Sequence, residues 1–135
     1  MLVLPRPVHL AIVAHALDGL PMEACGLLGG RPDTGEVEVF YPCGNDAASS
    51  KLYTVNPKDH LRADRDAEDR GLELMGVVHS HTHTEAWPSP TDVRQAVDPG
   101  WHYVIVSLKR PEAVLRSYRI LDGAIHEEQV VVASA

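Results

Sequence analysis

The sequence predicts a mixed α/β domain of the α+β type, in which helices pack on a largely antiparallel sheet. Short apolar and β-branched runs alternate with segments of helical periodicity along the chain. Two turn sequences, at 32–35 and 122–123, separate runs that are spaced as hairpins. The chain of 135 residues has the length of one domain, 1–135, and is too short for a barrel of about 250 residues.

The first half of the sequence predicts two helices that flank a hairpin. A helix is expected over 8–17, and its predicted buried face consists of Leu10, Val13, Ala14 and Leu17. Residues 24–30 are apolar and rich in glycine, as in a buried strand, and 36–41 alternate as its hairpin partner. After a short strand expected over 51–55, Asn56 and Pro57 begin a charged helix that is predicted to end at Arg70 and Gly71.

The second half of the sequence predicts one central strand, a short helix and three further strands. The central strand is the apolar run 74–78, which ends directly before His79. Ser89 and Pro90 have the pattern of an N-cap followed by the first helical residue. The remaining predicted elements are a helix over 90–97 and strands over 103–108, 114–121 and 124–132.

Composition and charge exclude several classes of function. The formal net charge is -7 and no basic stripe is visible, so nucleic acid is not an expected partner and a basic protein surface fits better. No run approaches the ~18 apolar residues of a membrane helix, and the N-terminal residues do not resemble a signal peptide, so a cytoplasmic protein is expected. The two cysteines, Cys25 and Cys43, are predicted to be buried thiols in a reducing compartment.

Three histidines directly after the central strand indicate a metal site. His79 and His81 lie two residues apart, which places them on one face of a strand and about 6.6 Å apart along it. Two sets of ligands fit this pattern: His79, His81 and His83, or His79 and His81 with Asp92. Asp92 also stands where a capping box with Ser89 would place a carboxylate. The spacing alone does not choose among these alternatives.

The segment His79-Ser80-His81, followed by seven residues, Ser89, two more residues and Asp92, resembles the motif of the JAMM (MPN-plus) zinc metallopeptidases. The resemblance implies a JAB1/MPN, cytidine-deaminase-like fold. It implies one Zn²⁺ ion per chain, held by His79, His81 and Asp92, with water in the fourth position. It also implies that Glu23 is the general base and that Ser89 lies beside the oxyanion.

Further stretches resemble the actinobacterial Mec branch of this family, among them 23–26, 102–104 and 115–120. That resemblance implies a partner with a C-terminal Gly-Gly, namely a small ubiquitin-like sulfur carrier such as CysO, from which a cysteine is released in cysteine biosynthesis. No oligomeric state is implied.

Two alternatives stay open at this stage. One is a trimming peptidase or isopeptidase for another ubiquitin-like, ThiS-like or MoaD-like protein, and the other is a non-catalytic MPN scaffold module. Thr82 stands where many eukaryotic JAMM deubiquitinases have proline, so specificity for polyubiquitin is not expected. Trp87 is predicted either to contact the incoming tail or to pack on the core.

Overall fold

Eight strands and three helices occupy residues 1–134, which are the residues that the computed structural model describes. In chain order these elements are β1 (Leu2–Pro5), α1 (Arg6–Gly19), β2 (Cys25–Arg31), β3 (Glu36–Cys43), α2 (Pro57–Asp69), β4 (Glu73–His81), α3 (Pro90–Gln95), β5 (His102–Ser107), β6 (Val114–Leu121), β7 (Ala124–Glu128) and β8 (Val130–Ala133). No helix within 1–134 is both long and apolar enough to cross a membrane.

The strands form a single sheet in the order β7-β6-β5-β4-β2-β3-β1-β8. Four pairings are antiparallel, namely β2–β3, β2–β4, β5–β6 and β6–β7. Three pairings, β1–β3, β1–β8 and β4–β5, are parallel. The predicted class, a mixed and largely antiparallel sheet flanked by helices, is confirmed.

The two edges of this sheet are brought together by the C-terminal strands. β7 and β8 lie at opposite ends of the strand order, although Gln129 alone separates them in the chain. Since one residue spans only a few ångströms, the sheet must curl until its ends meet. The prediction of one strand over 124–132 was therefore wrong. The chain leaves β6 at Gln129 and pairs in parallel with β1, an N-terminal strand that the sequence analysis did not predict.

The core lies on both faces of the sheet. On one face, α1 covers a cluster that includes Leu28 and Val104, and on the other, α2 covers a cluster that includes Leu27 and Val77. All six residues of β5 are buried, as expected for a strand that is covered on both faces. β4, which carries His79 and His81, lies directly beside β5 in the interior of the sheet.

The first helix forms as predicted, but its predicted buried face was wrong. Leu10 and Leu17 are 57% and 52% exposed, whereas Val8, Ile12 and Ala16 are buried. Residues spaced by three or four lie on one face of a helix, so α1 has two apolar stripes. One runs through Val8, Ile12 and Ala16, and the other includes Leu10 and Leu17. The stripe through Ile12 packs on the core with Leu2 and Leu4 of β1, and β1 was missing from the sequence prediction.

The segment predicted as a strand over 51–55 pairs only through a single bridge between Val55 and Asn45. The helix after it was predicted well. Asn56 caps α2 by accepting hydrogen bonds from the backbone N–H groups of Lys58 and Asp59. The charged face of α2 is exposed, and the helix packs on the sheet through small alanines, Ala63 and Ala67.

Candidate metal and catalytic site

The candidate site begins with the last residues of β4. His79 and His81 are both buried, and their side chains lie on the same face of the strand. Ser80, between them, points to the opposite side, where its hydroxyl oxygen accepts a hydrogen bond from the Ala24 N–H at 2.8 Å. The strand continues through His81, three residues further than the predicted apolar run.

Asp92 joins the two histidines from the start of α3. The Ser89 hydroxyl accepts a hydrogen bond from the Asp92 N–H at 3.1 Å, and Asp92 Oδ2 accepts one from the Ser89 N–H at 2.9 Å. This is the capping box that the sequence predicted. The same Oδ2 atom lies 3.2 Å from His79 Nε2 and 3.0 Å from His81 Nε2. One carboxylate oxygen thus belongs both to the cap and to the cluster.

The three donor atoms form a triangle of the size that a small metal ion requires. The two Nε2 atoms of His79 and His81 are 3.1 Å apart, close to their separations from Asp92 Oδ2. Zinc bonds of about 2.0–2.1 Å in a tetrahedral arrangement place neighbouring ligand atoms roughly 3.3 Å apart. Two imidazoles and one carboxylate are also ligand types that zinc accepts. The cluster therefore fits a single metal ion with one position left open.

Glu23 lies beside this cluster, just before β2. Its N–H donates to the carbonyl of Ser49 at 2.8 Å, and its carbonyl accepts from the side-chain amide of Asn45 at 3.0 Å. Glu23 is only 5% exposed, and its Oε1 atom has no hydrogen-bond partner among the described residues. Its side chain lines a cavity of about 350 Å³ together with His81 and Ser89. An unpartnered carboxyl group therefore faces the space next to the donor triangle.

Burial raises the pKa of Glu23 to about 7, although the neighbouring His81 opposes this shift. A carboxyl group with a pKa near the working pH can both accept and return a proton. The geometry and the pKa of Glu23 therefore suit proton transfer at the mouth of the cluster.

The family was established by comparison with known proteins. A model of the prokaryotic homologues of the JAB domain matches residues 5–121 of this chain. The chain belongs to this family. The membership agrees with the JAMM-type motif over 79–92, and the expected JAB1/MPN fold is confirmed.

Two curated relatives of this JAB-family chain are named for peptide-bond or conjugate chemistry. A CysO-cysteine peptidase of Mycobacterium tuberculosis is 44% identical over 123 residues, which cover 90% of this chain and 84% of the relative. A desampylase of Haloferax volcanii is 33% identical over 102 residues, covering 72% of this chain and 73% of the relative. The predicted resemblance to the CysO-cysteine peptidase branch is confirmed, and the chain is a hydrolase of the JAMM type.

A solved structure shows the same architecture. The solution structure of a Desulfitobacterium hafniense protein superposes with a TM-score of 0.92 at 37% identity. It covers 100% of this chain, which in turn covers 94% of it. The same fold therefore includes β1, which the sequence did not predict, and β8, which the sequence prediction had merged with β7.

In this JAB-family site, hydrogen bonds orient the imidazoles for a metal. His81 Nδ1 lies 2.8 Å from the carbonyl oxygen of Glu85, which can only accept, so Nδ1 carries the proton and Nε2 keeps its lone pair. Tyr53 stacks on His79 with ring centroids 4.3 Å apart and an interplanar angle of 17°. Both rings are thereby held with Nε2 directed toward Asp92.

The charges of His79 and Asp92 agree with that orientation. Burial lowers the pKa of His79, which favours the neutral imidazole. Burial would raise the pKa of Asp92, but hydrogen bonds with His79 and His81 hold it well below its usual range. The pKa of His81 is lowered by burial, yet its contacts with Asp92 and Glu85 raise it overall. The carboxylate of Asp92 is thus ionised at neutral pH.

His83 lies outside the donor triangle. It is exposed, and its Nδ1 atom lies 2.8 Å from the Thr82 hydroxyl oxygen. The structure therefore brings together His79, His81 and Asp92 and does not assemble a group of three histidines. The ring of Trp87 rests edge-on against Tyr118, with ring centroids 5.4 Å apart, while the residue remains 54% exposed, and its contact with an incoming tail stays a prediction.

Several residues of the site were not found from the sequence. Ser80 offered one signal, because a residue between two metal-binding positions on a strand must point to the other face. No sequence signal indicated Tyr53, Asn45 or Lys51, since the irregular segment 44–56 reaches the site only through tertiary contacts.

The thiols of Cys25 and Cys43 are both buried, as predicted, and burial raises the pKa of Cys25 to about 12.

Proposed function

We propose that this chain is a zinc-dependent metallopeptidase acting on a small ubiquitin-like sulfur-carrier protein. It hydrolyses the amide bond after the carrier's C-terminal Gly-Gly and releases cysteine from an adduct of the CysO-cysteine type. The observation that carries this proposal is the donor triangle of His79, His81 and Asp92 beside the buried, unpartnered carboxyl group of Glu23. The substrate is suggested by the relative that is named a CysO-cysteine peptidase.

In this proposal, His79, His81 and Asp92 hold one zinc ion. A bound zinc lowers the pKa of water from about 15.7 to near 7 and polarises the scissile carbonyl group. Three protein ligands leave the open position that a catalytic zinc needs. The same donors also accept Fe²⁺ or Mn²⁺, so the metal's identity is part of the proposal.

Glu23 is proposed to move the proton. Its carboxylate takes a proton from the attacking water as the new carbon–oxygen bond forms. It then gives that proton to the amine nitrogen as the carbon–nitrogen bond breaks. The buried position of Glu23 favours the protonated carboxyl between these two steps, since burial raises its pKa to about 7.

Ser89 is proposed to stabilise the negative charge that develops on the carbonyl oxygen. Its hydroxyl oxygen accepts a hydrogen bond from the Asp92 N–H, which uses a lone pair of the oxygen. The hydroxyl proton remains available for donation. Loss of such a donor typically costs a factor of about 10²–10³ in rate.

A Gly-Gly tail suits the approach to this site. The cavity beside Glu23 measures about 350 Å³, at the small end of the range of about 300–1,000 Å³ for ligand pockets. Glycines have no side chains to clash with its walls.

Similarity to a desampylase favours a second candidate function, an isopeptidase that removes a ubiquitin-like protein from conjugates. A non-catalytic scaffold would require neither the donor triangle nor the buried Glu23.

The proposal is tested with CysO bearing a C-terminal Gly-Gly-Cys sequence, incubated with the zinc-loaded protein and followed by mass spectrometry. The wild type should remove one cysteine residue, and Glu23→Gln should retain zinc but lose about 10²–10⁴ in rate. Glu38→Gln, at an exposed position of β3, is the matched control and should cleave normally. Wild-type activity in Glu23→Gln would contradict the assigned base, and a protein that binds no metal would support the scaffold alternative.

A further inference from the structure

We infer that Lys51 binds the free carboxylate of the residue released from the carrier. It thereby makes the site selective for a single C-terminal amino acid over an isopeptide or an internal peptide bond. The inference rests on the proposed function and adds a specificity-determining residue to it.

The position of Lys51 is the first support for this role. Lys51 lines the same cavity as Glu23 and Ser89, and it is the one lysine or arginine among the eight described residues that do so. Lys51 forms no salt bridge with any carboxylate of residues 1–134. By contrast, Lys109 and Arg110 are paired with Glu85, at 3.6 and 2.8 Å.

The backbone that carries Lys51 is tied to both sides of the cavity. On one side, the Ser49 carbonyl accepts from the Glu23 N–H at 2.8 Å. On the other, the Ser50 carbonyl accepts from the Thr82 hydroxyl at 3.2 Å, one residue beyond His81. The Ser49 hydroxyl closes the turn by accepting from the Lys51 N–H at 3.0 Å. The turn therefore fixes the lysine backbone relative to Glu23 and β4, while its four-carbon stem stays free to adjust.

The chemistry of the leaving group explains why a cation is needed at this place. Glu23 gives its proton to the departing nitrogen, so that nitrogen lies next to Glu23. In a C-terminal cysteine the free carboxylate is only two bonds away from this nitrogen. Lys51 lines the same cavity as Glu23, and it stands two positions after Ser49, whose carbonyl binds the Glu23 N–H, so its side chain borders the space that this carboxylate enters. An isopeptide-linked lysine places no carboxylate there.

The negative charge of the cavity and of the whole protein gives an independent reason for a cation at position 51. A substrate carboxylate that enters this cavity meets the carboxyl group of Glu23, in a protein of formal net charge -7. Two carboxylates in the same partly buried cavity repel each other. One positive charge at Lys51 offsets that repulsion and can donate a charge-assisted hydrogen bond to the carboxylate.

The experiment compares two forms of the same carrier, CysO ending in Gly-Gly-Cys with a free carboxylate and the same protein with a C-terminal carboxamide. For the zinc-loaded wild type, kcat/KM should favour the free acid by about tenfold or more. Lys51→Met should bring this ratio close to one, mainly through a higher KM for the acid. Lys51→Arg keeps the charge and should preserve part of the preference.

Lys58→Met is the matched control, since it removes the same charge from an exposed position of α2 and should keep the wild-type ratio. Binding of both carriers to zinc-loaded Glu23→Gln, with and without Lys51→Met, makes the same comparison without turnover. Equal cleavage of acid and amide by the wild type would overturn the role of Lys51 and leave the proposed function intact. An equal loss of kcat/KM on both carriers in Lys51→Met would also overturn the role of Lys51 and leave the proposed function intact. A wild type that cleaves neither carrier would overturn the proposed function, and the inference with it.

Discussion

The hydroxyl oxygen of Ser80 accepts a hydrogen bond from the backbone N–H of Ala24 at 2.8 Å, and the Ser80 N–H donates to the Ala24 carbonyl at 2.9 Å. This reciprocal contact joins β4 to the residue that follows Glu23. It holds Glu23 against the two histidines that flank Ser80, although Ser80 itself points away from them. The site is therefore aligned from the opposite face of the strand.

Ser80→Ala should disturb that alignment. The substitution leaves the buried Ala24 N–H without its side-chain acceptor, which should lower the free energy of unfolding by about 1–3 kcal/mol. It should also lower kcat while the zinc content stays at the wild-type level, because the metal ligands are unchanged. Urea unfolding, zinc analysis and turnover measure the three quantities. Ser134→Ala, at an exposed position, should change stability by less than about 0.5 kcal/mol. Unchanged stability and turnover in Ser80→Ala would show that the contact does not align the site.

The two ligand sets considered from the sequence lead to opposite results when Asp92 and His83 are replaced. Asp92→Ala removes one vertex of the donor triangle and should lower zinc affinity at least about tenfold. His83→Ala should keep wild-type affinity, because His83 lies outside the donor triangle and its Nδ1 atom lies beside the Thr82 hydroxyl. Zinc competition with a chromophoric chelator measures both variants. Full zinc affinity in Asp92→Ala, together with a loss in His83→Ala, would replace the carboxylate by the third histidine in the assignment.

The sequence predicted well those parts of the fold and site that depend on local chemistry. The capping pattern from Ser89 to Asp92 and the N-cap at Asn56 appear as predicted, because such caps involve residues two or three positions apart. The strand period placed His79 and His81 on one face for the same reason. What the residues alone left open was the choice of Asp92 over His83, since that choice depends on where α3 packs.

The features that escaped prediction depend on contacts between distant parts of the chain. The buried face of α1 was chosen wrongly because two of its stripes are apolar, and β1 decides which of them is covered. The end of β7 at Gln129 was missed because the residues on both sides have strand propensity. Only the curl of the sheet, which is a long-range feature, places β7 and β8 at opposite ends of the strand order. Lys51 and Tyr53 lie in an irregular segment, where no periodicity indicates which side chains face the site.

Glu128, the last residue of β7, stabilises the place where the sheet closes on itself. Its Oε2 atom lies 2.6 Å from His102 Nδ1 in β5 and accepts a hydrogen bond from the Ser117 hydroxyl in β6 at 2.7 Å. The side chain is only 8% exposed. Burial by itself would raise the pKa of Glu128, but these hydrogen bonds lower it to about 2. The carboxylate thus joins three strands one residue before the chain crosses to the other edge.

This lowered pKa predicts how stability depends on pH. A carboxyl group whose pKa is depressed by folding stabilises the native state fully above its unfolded value of about 4.5, and that contribution is lost as the pH falls toward about 2. Glu128→Gln should therefore cost about 2–3 kcal/mol of unfolding free energy at pH 7 and roughly half of that at pH 3, as measured by urea unfolding at both values. Glu127→Gln is the matched control, because its ion pair with Arg116 is exposed and should contribute less than about 1 kcal/mol at either pH. A cost for Glu128→Gln that is the same at both pH values would mean that the side chain acts through packing and not through its charge.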